Sequence, residues 1–252
     1  MKDETLVIFG RRTVEEYLKN SKPEDLVKLF LNKANNPETN KKFILLAKEK
    51  KTSFAILEND AFHKKADTEH HQGVLLIIKK KTLDERELFS NIEKNNPSII
   101  LILDHIEDPA NFGSILRTCG FYGVNTIIIP KDRAVKITPS VEKISSGVLS
   151  YINVYEVTNL NKVIKSLKEK GYWAVATGIF EDSVTLSSFS FPEKTILVIG
   201  NEHKGISRLT KDLCDYSVSI KSYGKIDSLN VAVATAIFLD RFFNSSQKDE
   251  KS

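Results

Sequence analysis

Two cysteines, Cys119 and Cys214, among 252 residues are too few for a disulfide framework, and a reducing, cytoplasmic setting is the expectation. No stretch approaches the roughly 20 uninterrupted apolar residues of a membrane helix. The opening Met1-Lys2-Asp3-Glu4 lacks a signal-peptide core, so a soluble chain is expected. Charge of one sign is also scarce: 37 Lys+Arg face 33 Asp+Glu, for a net +4. That balance names no partner, because a basic patch needs only a few residues on one face. Lys far outnumbers Arg, so each Arg, suited to bidentate anion recognition, carries more information. Two phosphate-binding patterns are missing. No G-x-G-x-x-G follows any strand, and after Gly205 come Ile206 and Ser207 rather than the K-[ST] ending of a P-loop. No internal repeat is present. His70-His71 has no Cys or His partners at ligand spacing, so no metal is expected and a surface or packing role is assigned to the pair.

The composition that remains is globular, 41% hydrophobic and 28% charged, which excludes a disordered or fibrous chain. The length leans toward two domains. In the first part, Leu6 to Phe9, Leu26 to Leu31, Ser53 to Leu57 and Gly73 to Ile78 read as strands. Thr13-Val14-Glu15-Glu16 reads as a capping box opening a helix through Leu18, and Thr39 to Glu49 as a second helix. Thr82-Leu83-Asp84-Glu85 reads as another capping box, for a helix to Lys94, and Asn95-Asn96-Pro97 as a turn. The division expected is residues 1–79, a linker 80–97, a second domain 98–246 and a polar tail 247–252.

From Ser98 the runs Ile99 to Leu103, Thr126 to Ile129, Ala174 to Thr177 and Thr195 to Ile199 suit strands buried on both faces of a parallel sheet. Helical patterns lie between them, at Ile115 to Phe121 and at Leu160 to Lys170, the latter closed by Gly171. The last helix, Leu229 to Phe243, carries Val231, Ala234, Ile237, Phe238 and Phe242 as an apolar stripe. Trp173, Phe191 and the Cys119 thiol are expected in the core. The fold class is therefore α/β with an open parallel sheet.

Ligands of such sheets bind beyond the carboxyl ends of the strands, and three unusual segments sit there. After Leu103, Asn111 and Gly113 can shape a tight turn into a helix that carries Arg117, a guanidinium placed to grip a phosphate or orient a hydroxyl. After Ile199, Gly200 and Gly205 bracket a loop. After Ile220, Ser228 is a natural N-cap for the last helix, while Asn230 inside its first turn needs a use for its amide.

Taken together these segments resemble the SpoU family of the SPOUT class, TrmH-like RNA ribose 2′-O-methyltransferases. N-x-G-x-x-x-R is met by Asn111, Gly113 and Arg117; G-x-E-x-x-G by Gly200, Glu202 and Gly205; and G-x-x-x-S-L-N-V-x-V-A by Gly224, Ser228, Leu229, Asn230, Val231, Val233 and Ala234. The front part resembles the small RNA-binding substrate domain of many members, down to His71-Gln72-Gly73-Val74. The resemblance implies a C-terminal SPOUT domain with a trefoil knot, an exception to the no-knot rule, and a homodimer with the active site at the subunit interface. It implies S-adenosylmethionine as cofactor, held by Thr177, Gly178, Gly200, Ile220 and Leu229.

It further implies that Arg117 meets the target hydroxyl or its phosphate, as base or, in keeping with a guanidinium that stays protonated, as stabiliser of the emerging alkoxide. Asn111 would help place that group, Glu202 would hold its loop by hydrogen bonds, and Ser228 and Asn230 would order the third loop. Arg11-Arg12, with Lys79-Lys80-Lys81, would face RNA. Two positions depart from the family pattern: His203 stands where many members have Gly, and Lys221-Ser222 replaces a frequent Pro-Met. The substrate expected is a guanosine of 23S ribosomal RNA. A transfer RNA methylase and a non-catalytic RNA-binding or ribosome-assembly protein are the alternatives.

Overall fold

A computed structural model describes residues 4–66, 69–81 and 83–245. Thr82, read above as a helix cap, the tail 247–252 and the side chain of His70 lie outside what is described. The chain forms two compact units, one of residues 1–81 with 137–151, the other of residues 82–136 with 152–252. Residues 137–151 thus group with the first unit although they lie within the 98–246 stretch.

The first unit begins with β1 (Thr5–Phe9), α1 (Arg11–Asn20), β2 (Leu26–Asn32), α2 (Pro37–Glu49), β3 (Ser53–Leu57), α3 (Asn59–Ala66) and β4 (Val74–Lys79). Its sheet runs β1-β4-β2-β3, with β4 antiparallel to β1 and β2 and with β2 parallel to β3. Alternation along β2 sends Leu29 and Leu31 to the side of Val14, Leu18, Phe43 and Ala47, and Phe30 to the side of Phe62 and Ala66. The helix α1 starts two residues before the expected capping box. Gly10, at φ 95°, takes the N-cap position, and the Gln72 side-chain oxygen accepts the Arg11 N–H at 2.9 Å. Thr13 is buried inside the helix. His71 is also buried. Its Nδ1 accepts the Gly73 N–H at 2.8 Å, so Nε2 is the protonated nitrogen that faces His63 Nδ1 at 3.1 Å. Burial, then the neighbouring His63, lower its pKa, as a packing histidine requires. Among the described residues no group of His, Cys, Asp and Glu could hold a metal, and no helix is long and apolar enough to cross a membrane.

The chain continues through α4 (Glu85–Asn95), β5 (Ile99–Asp104), α5 (Pro109–Tyr122) and β6 (Thr126–Pro130). The expected linker is thus mostly a helix of the second unit. It is capped by Asp84, which accepts the Arg86 and Glu87 N–H groups while Glu87 reaches back, and it buries Leu88 and Ile92 in the core. The short α6 (Pro139–Ile144) belongs to the first unit. Then follow β7 (Asn153–Val157), α7 (Leu160–Glu169), β8 (Trp173–Thr177), β9 (Val184–Thr185), β10 (Thr195–Gly200), α8 (Arg208–Lys211), β11 (Tyr216–Ser219) and α9 (Val231–Ser245).

All neighbours in the second sheet, β7-β6-β5-β10-β8-β11-β9, are parallel. The strands β5, β6 and β10 are buried along their whole lengths, the burial that their unbroken apolar runs predicted. Trp173 departs from expectation: at the amino end of β8 it is half-exposed beside Tyr216. Phe191 is half-buried between Phe189 and Phe242, and Cys119 is fully buried, its thiol pushed up to about 12 by desolvation. The α9 stripe divides, for Phe238 and Phe242 are buried while Ile237 is exposed.

In the first unit α6 brings Glu142 against α1. The Tyr17 hydroxyl donates to Glu142 Oε1 at 2.6 Å, the carboxyl is 2% exposed, and Oε2 has no partner. Burial pushes the carboxyl up to about 7 from an ordinary 4.5, against the lowering effect of the tyrosine hydrogen bond. The folded state therefore keeps this proton to higher pH than the unfolded chain does, and stability falls as pH rises between those values. Glu142→Gln keeps the accepting oxygen and never ionises. It is expected to raise stability at pH 8 by up to about 3 kcal/mol and to leave it unchanged near pH 5, as thermal unfolding at the two pH values will show.

Candidate active site

The register of β5 and β10 ends on the pair Asp104–Gly200, so the segments that follow the two strands leave the same edge of the sheet side by side. After β10 the chain turns back at once. Asn201 and Gly205 exchange two backbone hydrogen bonds, 3.0 and 2.9 Å, and Gly205 takes φ 65°. A Cβ on Gly200 would lie 2.3 Å from the Gly205 carbonyl carbon and 2.4 Å from the Ile206 nitrogen, both backbone atoms that cannot step aside. Glycine is therefore obligatory at the strand end.

The Asn201 side chain holds this loop: Oδ1 accepts from the His203 and Lys204 N–H groups at 3.0 and 3.1 Å, and Nδ2 donates to the His105 carbonyl at 2.7 Å. The buried Asp104 holds its exit, accepting the Ser207 N–H at 2.9 Å. The sequence reading missed both residues and gave the task to Glu202. A polar side chain next to Gly200 and a carboxylate closing a buried apolar strand were the available signals. His203 is not among the residues with positive φ, so the replacement of a glycine there introduces no backbone strain.

Helix α5 begins earlier than expected. Pro109 takes the first position and Asp108 caps it, accepting the Asn111 N–H at 2.6 Å, so Asn111 and Gly113 lie inside the helix rather than in a turn before it. Helix α9 begins later. Asn230, not Ser228, caps it, its Oδ1 accepting from Ala232 and Val233 at 2.9 and 3.4 Å. This duty orients the amide. Nδ2 points out and donates to Asn111 Oδ1 at 2.9 Å, and Asn111 Nδ2 in turn donates to Glu202 Oε1 at 3.0 Å. Three sequence motifs thus meet in one directed chain of hydrogen bonds that ends on a carboxylate.

Beside this chain opens a cavity of about 710 Å³, within the range usual for small-molecule sites. All five residues singled out for a cofactor, Thr177, Gly178, Gly200, Ile220 and Leu229, line it, together with Glu202, Ser228 and Asn230. Its apolar wall is Ile179, Ile199, Val231, Ala234 and Phe238. The Thr177 hydroxyl is committed to the Val198 carbonyl at 2.9 Å, which leaves the backbone there to meet a ligand.

Arg117 stands apart. It is exposed on α5, does not line the cavity, and forms no hydrogen bond or ion pair with another described residue. Arg11 and Arg12 are exposed in the first unit, where Arg11 Nε donates to the Gln72 carbonyl at 3.2 Å.

Comparison with known proteins gives concordant matches. Residues 98–240 match the SpoU rRNA Methylase family, and residues 7–83 match the family of RNA 2′-O ribose methyltransferase substrate binding domains. The 23S rRNA (guanosine-2′-O-)-methyltransferase RlmB of Shewanella oneidensis is 36% identical over 234 residues, 92% of this chain and 94% of that protein. A protein of Staphylococcus haemolyticus described as a TrmH family tRNA/rRNA methyltransferase is 34% identical over 238 residues, 94% of each chain. Among solved structures, the SpoU methyltransferase AviRb of Streptomyces viridochromogenes, in complex with AdoMet, superposes with a TM-score of 0.78. The match covers 98% of this chain and 91% of that one at 20% identity, a likeness of fold alone.

Replacing Gly200 with Ala must part the strand end from the Gly205–Ile206 backbone. A loss of about 2 kcal/mol or more is expected in urea unfolding. The Gly205 amide, bonded to the Asn201 carbonyl, is expected to exchange its hydrogen faster.

Proposed function

The chain belongs to the SpoU rRNA methylase family of RNA ribose 2′-O-methyltransferases, and from that premise we propose that it methylates a guanosine of 23S ribosomal RNA with S-adenosylmethionine as donor. The observation that carries the mechanism is the Asn230–Asn111–Glu202 chain on the edge of the cavity. A ribose 2′-hydroxyl is a weak nucleophile. Transfer to it needs alignment, a place for its proton and exclusion of water.

The cavity suits the donor. Its aliphatic and phenyl wall matches an adenine face, and the strand-end residues Thr177, Gly178 and Gly200 line the opening beside it. Once bound, that ligand supplies an electrophilic methyl on a sulfonium. The protein's part is geometric and electrostatic. One oxygen of Glu202 is held by Asn111, and the other is left to accept from the hydroxyl and orient it. Ser228 closes the same wall.

Arg117 acts from a second copy of the chain: a guanidinium without a partner in its own subunit meets the hydroxyl or its phosphate across a two-fold interface. The surface of α5 and α9 supports such a homodimer. Phe121 is 82% exposed there, Val233 and Ile237 are exposed, and Tyr122 stacks on Phe243. The loops of residues 200–205 and 220–230 are those a trefoil knot would thread. The first unit, residues 1–81 with 137–151, is the RNA-binding domain, with Arg11 and Arg12 on its RNA-facing side, and the second, residues 82–136 with 152–252, is the methyltransferase domain.

Ribosomal RNA is favoured by the relative from Shewanella oneidensis, and transfer RNA is the second reading, since the description of the relative from Staphylococcus haemolyticus names both RNAs. Incubation with methyl-labelled donor and unmodified RNA pools separates them. Label in one large-subunit guanosine is expected, lost in Arg117→Ala. Label in transfer RNA alone would sink the substrate assignment, and binding without label would favour an assembly role.

Asn230→Asp isolates the hydrogen-bond chain from the cap. Aspartate caps a helix as well as asparagine does, so the melting temperature is expected to hold. It cannot donate to Asn111, and whichever way the Asn111 amide turns, one oxygen then faces another. A fall of roughly tenfold or more in kcat is expected. Mixing Arg117→Ala with Asn230→Asp subunits is expected to restore about a quarter of wild-type activity, because random two-fold pairing rebuilds one intact site per mixed dimer.

A further inference from the structure

Tyr223 lies on the wall of the cavity and yet is 88% exposed. The turn that carries it is closed. Ser222 Oγ donates to the Ile226 carbonyl at 2.8 Å and accepts the Gly224 N–H at 3.3 Å, so the ring is presented by a tied loop. The Lys221 ammonium stands 5.1 Å from the ring centroid. No other described residue makes a ring contact or hydrogen bond with Tyr223. The ring thus has a cation on one side, an open face on the other, and the carboxylate of Glu202 and the amide of Asn230 on the same cavity wall. Lys221 and Ser222, the residues that depart from the family's frequent Pro-Met, are the ones that place it.

We propose that Tyr223 is a substrate-positioning residue whose open face stacks on an unstacked RNA base at or next to the target nucleotide, with Lys221 meeting the adjoining phosphate. The proposal rests on the RNA methyl-transfer reading and is independent of which RNA is the substrate. Proteins that act on RNA single strands hold splayed bases on aromatic rings. A cation at such a ring adds attraction both to the ring and to the backbone phosphate. A 2′-hydroxyl reaches a reactive site only with its nucleotide held still, and a stacked base fixes the attached ribose.

The experiment measures, for wild type and for Tyr223→Ala, →Leu, →Phe and →Trp, the KM for the RNA pool that wild type labels. It also measures kcat and, by calorimetry without RNA, the Kd for S-adenosylmethionine. Tyr223→Ala and Tyr223→Leu are expected to raise the RNA KM about tenfold and to lower kcat with the donor Kd unchanged, while Phe and Trp restore both. A donor Kd that rises instead would mean that the ring covers the cofactor and would overturn the proposal, as would leucine performing as well as phenylalanine or an unchanged KM throughout. Absence of label with wild type on every pool is a separate result, which overturns the methyl-transfer reading and this inference with it.

Discussion

The N–H groups of Ala232 and Val233 open a helix and have no helical carbonyl to meet. Asn230 answers them with its side-chain oxygen, and the amide has then only one way to face its neighbour. That polarity passes to Asn111 and reaches Glu202 as a donated hydrogen bond, so the chain ends on an acceptor, here a carboxylate oxygen. Three segments far apart in the chain are thereby set in register by a constraint that begins in backbone geometry. Groups at a binding cavity are commonly described by what they touch in a ligand; here their orientation is fixed by what they touch in each other.

The loop that presents Glu202 needs a second constraint. Gly200 ends a buried strand at a point where the returning backbone leaves no room for a Cβ, and Asn201 and Asp104 tie the loop to the segment after β5. A parallel sheet brings its strand ends to one edge. Only the absence of a side chain lets this edge turn back tightly enough to close one side of a cavity.

The apolar runs at Ile99 and Thr195 are legible as strands because burial on both faces leaves only hydrophobic residues, and their order at the sheet edge located the site. Helix boundaries were less legible. At Gly10 the cap comes from Gln72, and at Asn230 the residue read as a helix interior is the cap itself; in both cases a contact made in the fold overrides a local pattern. Ser228 and Thr13 have the right chemistry for a cap and the wrong place. The roles of Asn201 and Asp104 depend on partners distant in sequence, and composition carries no record of those. Trp173 shows the limit of counting apolar residues as core, for its ring sits at a strand's exposed beginning.

Tyr17 and Glu142 are 125 residues apart, and Gly147 packs so closely on Thr13 that a Cβ there would lie 3.0 Å from the Thr13 carbonyl oxygen. The chain is synthesised in order, whereas the first compact unit is completed only when residues 137–151 have been added. A nascent chain of its first 81 residues therefore lacks a piece of its own core and waits, through the synthesis of two further strands and two helices, for the piece to arrive. Long-range contacts of this kind close slowly. The unit matched to the substrate-binding family therefore closes only after the first two strands of the other unit's sheet have been made.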